Sequence, residues 1–325
     1  MWQKFFRVPP ASPVGPPLHL GDLAAVPELW KEEAGIHHPD WRKIATLVNQ
    51  RTTTEPEREA AWHDVTAQWL DRLKGELGAG FRVGESRNFL LVSSKSEQAL
   101  QYFLGQCESA LAQLRARLGT AAWHWKYGKH AVVMFEDEDA YYRYVSHFFP
   151  NDGEYGLSSG MCISGRGYCH TVVASAADAV PTLVHELTHL CLRPWSLPMW
   201  LSEGLATHHE RALTSRGAHV IDRESIARQR AFWDHGRIQR FWTGKSFRVG
   251  EERELSYGLA EHLVTLLARE FRELGPFVCA VRREDAGQAA AREHFDLDLA
   301  DIAAAFLGEG DWRWDPPAAP NDDQG

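Results

Sequence analysis

No run of about twenty consecutive apolar residues occurs in this sequence, so no membrane-spanning helix is expected. Basic residues are in deficit: 35 Lys and Arg stand against 44 Asp and Glu, for a formal net charge of −9. A general nucleic-acid binder or a binder of anionic membranes needs a basic face, and neither is expected here. Cysteine is scarce. The five present are odd in number and widely spaced, which makes no disulfide framework. The first residues, "MWQKFFRVPPASPVGPP", hold no sustained apolar stretch and do not read as a secretory signal. The expected compartment is therefore a reducing cytoplasm, with free thiols. What is present is ordinary for a globular protein. The chain has 325 residues, 44% hydrophobic and 24% charged, enough for a sizeable core in one large or two small domains. Thirteen tryptophans is a high count, and the sequence offers core packing as their only role.

Periodicity and turn residues divide the chain. Residues 1–55 are rich in proline and read as an irregular arm laid over the body. Residues 55–78, "EPEREAAWHDVTAQWLDRLKGELG", have helical spacing and close on glycine. "FRVGESRNFLLVSS" reads as strand, and "SEQALQYFLGQCESALAQLRARLG" as a long amphipathic helix. "HAVVMFED" reads as strand and "EDAYYRYVSHFF" as a helix stopped by Pro150. "GMCISGRGYCHTVVAS" looks like a hairpin turning at Gly165-Arg166, since glycine at the first turn position suits a type II′ turn. That register sets Cys162 opposite Cys169. From Asp178 onward the pattern is helical: "DAVPTLVHELTHLCL", "PMWLSEGLATHHERAL", one or two helices in "IARQRAFWDHGRIQRFW", then "ELSYGLAEHLVTLLAREF" and "LADIAAAFLG". Residues 311–325 read as a disordered tail. The expected organisation is α+β: an α/β subdomain over 56–178 and a helical subdomain over 179–310.

Residues 184–190, "VHELTHL", place two histidines and a glutamate in an apolar stretch. Such groups are expensive to bury unless something satisfies them. Four apart on a helix, His185 and His189 share a face and can present two imidazole nitrogens to one point. Zinc takes such ligands in a tetrahedron, and a catalytic zinc site needs three protein ligands with one position open. Glu186 is angled off the ligand line, where it could serve as a general base toward a water. Glu203 lies fourteen residues after His189 in "LPMWLSEGLA", amid apolar residues. Pro194 and Pro198 break the chain between, so that the second helix can fold back across the first, and Gly204 permits close helix approach. The set His185, His189 and Glu203 therefore reads as a zinc site. The competing reading of Glu203 is an exposed helix residue. Cys191, one turn beyond, reads as core.

"HELTH" followed by "WLSEGLA" resembles the gluzincin metallopeptidases, the thermolysin-like group, and in particular a branch of small bacterial peptidase-like proteins with a short interval between motif and glutamate. The specific match covers residues 181–210, and a looser order of elements extends it to about 85–308. The resemblance implies a zincin-like fold: a mixed sheet whose edge-strand hairpin packs on the active-site helix, then a helical C-terminal half. It implies Zn2+ on His185, His189 and Glu203, with Glu186 as the base that passes a proton from water to the leaving amine. An acidic residue often stands four positions after the glutamate to orient a ligand histidine. Thr207 occupies that position here; Glu210 or His208 could substitute, but exposed helix surface is the preferred reading of each. The family's edge strand pairs with an extended substrate. "YCHTVVAS" sits in the right order for it, and His170 on it could touch substrate or be structural. Tyr257, reading as the opening of a long helix, stands where gluzincins place a donor to the oxyanion, with His262 the weaker candidate and a core aromatic the alternative. No acidic residue occurs in "SSGMCISGRGYCHTVVAS", whereas aminopeptidases of this group grip the substrate amine there with glutamate. An endopeptidase acting on a peptide or protein is thus expected over an aminopeptidase. A non-catalytic, zinc-stabilised binding module is the alternative.

Overall fold

The computed structural model describes residues 26–316, apart from 34–35, 126, 150–157, 166–167, 175–178, 215–222, 249 and 272. It is an α+β protein with a mixed five-stranded sheet and a helical C-terminal half. It divides into two compact units. One comprises Met1–Glu108 and Trp125–Ala179, the other Ser109–His124 and Val180–Gly325.

In the first unit, β1 (Trp30–Glu33) and β2 (Ile36–Pro39) form an antiparallel pair, followed by α1 (Trp41–Arg51) and α2 (Glu55–Leu77). The described residues between Val26 and Thr54 are thus mostly in strands and helices rather than an irregular arm, and residues 1–25 lie outside the described residues. Its order has a physical source: Leu29, Ile44 and Val48 bury against Ala61 and Val65 of α2. Thr54 opens α2 with a reciprocal capping box to Glu57, and Gly78 closes it at φ 117°. The stretch from Phe81 to Ser94 is two strands, not one: β3 (Arg82–Glu85) and β4 (Phe89–Ser93) pair antiparallel. The reversal is held by Glu108 of α3 (Glu97–Leu118), which accepts from Ser86 Oγ at 2.7 Å and from Asn88 N at 2.6 Å. β5 (His130–Phe135) follows, and then α4 (Glu138–Ser146), which Asp137 caps at its N-terminus. α4 ends four residues before Pro150.

The hairpin forms from β6 (Gly160–Gly165) and β7 (Tyr168–Ala174), with a register one step from the expected one. Gly165 pairs with Tyr168, so Gly165 is strand and the connection is Arg166–Gly167, which lies outside the described residues. Consequently Cys162 stands opposite Thr171 and Cys169 opposite Ser164; the two thiols do not face each other. Strand order is β3-β4-β5-β7-β6, with β4, β5 and β7 parallel. The edges are therefore β3 and β6, and β7 is an interior strand. Cys169 through Ala174 are all buried, the near-continuous burial of a strand covered on both faces rather than the alternation of an edge.

The second unit is helical: α5 (Ala179–Leu192), α6 (Met199–Ala212), α7 (Arg223–Phe232), α8 (His235–Trp242), α9 (Gly250–Glu270), α10 (Gly275–Ala280), α11 (Gln288–Phe295) and α12 (Leu299–Leu307). Asp234 separates α7 from α8 by capping the second, accepting from Arg237 N at 2.8 Å. α6 and α9 pack closely. A Cβ placed on Gly204 would lie 2.6 Å from the carbonyl oxygen of Ala260, so only glycine fits there. Tryptophans of this unit join elements through their indole N–H groups. Trp195 donates to Ala121 O at 2.8 Å, Trp200 to Ala286 O at 2.9 Å and Trp242 to Trp312 O at 3.0 Å. The last bond, with Trp312 buried at 6% exposure, fixes residues that read from sequence as disordered tail; residues 317–325 lie outside the described residues. Among the described residues no helix is long and apolar enough to cross a membrane.

Candidate metal centre

α5 owes its position to Leu183, Val184, Leu187, Leu190 and Cys191, which are fully or almost fully buried. Cys191 is core, and burial pushes its thiol up to about 12. The remaining stripe carries His185 and His189, whose rings lie edge to face at a centroid distance of 4.9 Å. Across from them, Trp200, Leu201, Leu205 and Ala206 bury α6 and leave Glu203 toward the imidazoles. One oxygen of Glu203 sits 3.3 Å from His185 Nε2 and 3.6 Å from His189 Nε2. All three prospective ligand atoms fall within 4.8 Å of one another, the one such His/Cys/Asp/Glu group among the described residues.

The far nitrogens are occupied as well. His185 Nδ1 lies 3.2 Å from Glu210 Oε2, and His189 Nδ1 lies 3.2 Å from Ser202 Oγ. A carboxylate only accepts, so His185 Nδ1 carries a hydrogen, and Nε2, the nitrogen toward Glu203, is the one at which a metal would replace a proton. Metal-binding histidines are characteristically held this way, by an acceptor on the far nitrogen. Glu210 thus fills the place for which Thr207 has no carboxylate. The sequence did carry a signal for it: Glu203 and Glu210 are seven apart, two helical turns, and so share a face. Ser202 had no comparable signal. His208 does not join the site; its Nδ1 pairs with Thr265 Oγ1 at 3.0 Å.

Electrostatics reinforce the geometry. Burial works to lower the pKa of His185, but hydrogen bonds to Glu203 and Glu210 and the charge of Glu186 outweigh it and push the group up to about 10. Burial works to raise Glu203, but His189 and His185 hold its carboxyl well below the usual range. Three carboxylates, Glu186, Glu203 and Glu210, thus surround two imidazoles. That donor set, two nitrogens and one carboxylate with the far nitrogens anchored, could hold a metal ion.

Glu186 is 7% exposed, and its charge acts on both His185 and Tyr257. Tyr257 lies in α9, two turns inside the helix rather than at its opening, because the helix begins at Gly250. Burial raises its phenol pKa, as do the charge of Glu203 and a hydrogen bond to it. The other sequence candidates lie elsewhere. His262, on the same helix, packs its ring on Phe306 at 4.3 Å. His170 is 4% exposed in the sheet and bonded to the Tyr144 hydroxyl at 3.0 Å, a structural histidine. No protein-family model matches the chain, and no curated protein matches it.

Proposed function

We propose that this protein is a zinc-dependent metallopeptidase of the gluzincin, zincin-like type, acting in the cytoplasm on a peptide or protein substrate as an endopeptidase. The observation that carries this reading is the convergence of His185 Nε2 and His189 Nε2 on the Glu203 carboxylate, with both Nδ1 atoms held from behind. Three such ligands leave a fourth tetrahedral position for water or substrate. A zinc ion held there would supply Lewis acidity toward a carbonyl oxygen and an acidified water. His185, His189 and Glu203 would bind it, with Glu210 and Ser202 fixing the ring orientations. Glu186 needs no role in holding metal; as the base it takes a proton from the attacking water and returns it to the leaving amine nitrogen. Tyr257, which hydrogen-bonds Glu203, would donate its hydroxyl hydrogen to the carbonyl oxygen as negative charge develops there.

The test is a digest of a mixed peptide library by the purified protein, with and without chelator, beside Glu186→Gln. Chelator-sensitive internal cleavage that Glu186→Gln lacks supports the reading. Zinc retained without any cleavage would favour a zinc-stabilised binding module. Cleavage that survives both chelator and Glu186→Gln would refute it.

A further inference from the structure

The first unit holds a cavity of about 410 Å³, lined entirely by its own residues. That volume lies within the range of small-molecule pockets, roughly 300–1,000 Å³. Its apolar wall comes from Ile36 of β2, Leu77 at the end of α2, Phe81 and Phe135. Two charged side chains line it, and they differ in what they already hold. Glu76 is engaged: it accepts from the backbone N–H of His37 at 2.9 Å, from His37 Nδ1 at 2.6 Å and from Arg72 Nε at 3.4 Å. Arg143 of α4 is exposed and its guanidinium makes no ion pair among the described residues. Among the described residues, the one uncompensated charge at the cavity is therefore positive, and it stands where the apolar wall meets solvent. A ligand that leaves Glu76 with its present partners brings no cation of its own. A ligand that satisfies Arg143 brings a planar anion, which the guanidinium fork accepts by paired hydrogen bonds.

We infer that this cavity binds a small monocarboxylate with an apolar body about the size of one aromatic ring, with Arg143 taking the carboxylate. The ring lies against Phe81 and Phe135, and the acid group points to solvent. This site shares no residue with the metal centre, and its occupancy is independent of the proposed peptidase activity.

Three probes of one shape separate the possibilities: 4-phenylbutyrate, 4-phenylbutan-1-ol and 4-phenylbutylamine, titrated into the full chain by calorimetry. The carboxylate is expected to bind at one per chain. The alcohol should bind about tenfold more weakly, the loss of one charge-assisted pair, and the amine more weakly still. Arg143→Gln, at an exposed position where folding is not at stake, should bring the carboxylate down to the level of the alcohol. Absence of saturable carboxylate binding, equal or tighter binding of the amine, or unchanged carboxylate affinity in Arg143→Gln would each overturn the assignment.

Discussion

At the scale of single residues, the divergent fates of three neighbouring carboxylates define the chemistry. Glu203 faces both ligand-side nitrogens at 3.3 and 3.6 Å, Glu210 accepts from the far nitrogen of His185, and Glu186 is next to His185 in the chain. Glu186→Gln keeps the size but cannot take a proton, so turnover should fall by roughly 10²–10⁴-fold with zinc content unchanged. Steady-state kinetics with elemental analysis decides it, and loss of metal together with activity would assign Glu186 a structural role. Glu210→Ala should weaken zinc about 10–100-fold, measured by competition with a chromogenic chelator, because only an anchoring partner is lost. Wild-type affinity in that variant would show that the Glu210 contact does not matter to the metal. Tyr257→Phe should lower turnover on the order of 10²-fold at unchanged zinc affinity if the phenol serves the oxyanion. A weakened zinc affinity with normal turnover per bound metal would mean that it serves Glu203 instead. The candidate ligands and Glu186 were legible in the sequence because their spacing is local. Tyr257 and Glu210 were legible only as candidates, since what they touch depends on how helices cross.

At the scale of elements, the site rests on α6 and α9 meeting at Gly204 and Ala260. A methyl group there would overlap a backbone carbonyl, which cannot swing aside. Gly204→Ala should therefore destabilise the protein by about 1–3 kcal/mol and lower its melting temperature. It should also weaken zinc binding, since Glu203 is the adjacent residue. An unchanged melting temperature would mean that the two helices have room to part. Most helices were legible from period and stop signals: α2 and α12 end one residue before a glycine, and α6 begins one residue after Pro198. The sheet was less so. A reversal inside "FRVGESRNFLLVSS" depends on Glu108, far along the chain, and the exchange of edge and interior strand depends on pairing β7 with β5. No local pattern encodes either partner.

For the molecule as a whole, acid is expected to act through the buried histidines. Burial, followed by the charges of His147 and His37, lowers the pKa of His38 to about 3 from an ordinary 6.5, and burial lowers His170 as well. The unfolded chain binds these protons below about pH 6.5 while the folded sheet unit resists them. Stability present above that pH is therefore lost as pH falls from 6.5 toward 3. Denaturant titrations followed by tryptophan fluorescence should show this, and His38→Phe should flatten the slope; an identical slope in that variant would exclude His38 as a source. In the helical unit, a metal held as proposed would compete with protons for the same nitrogens, so zinc affinity should fall with acidification. The division into a sheet-bearing part and a helical part was legible from the change of hydrophobic period near residue 178. The order of residues 26–55 and 311–316 was not, because it comes from burial of Ile44, Val48 and Trp312 against distant elements. The claim on which the rest depends is that His185, His189 and Glu203 hold a metal. Elemental analysis of protein purified without chelator tests it most directly, on the wild type beside Glu203→Ala. About one zinc per chain in the wild type, and a small fraction of that in Glu203→Ala, is the expected result; no stoichiometric transition metal in the wild type, or equal zinc in both, would contradict it.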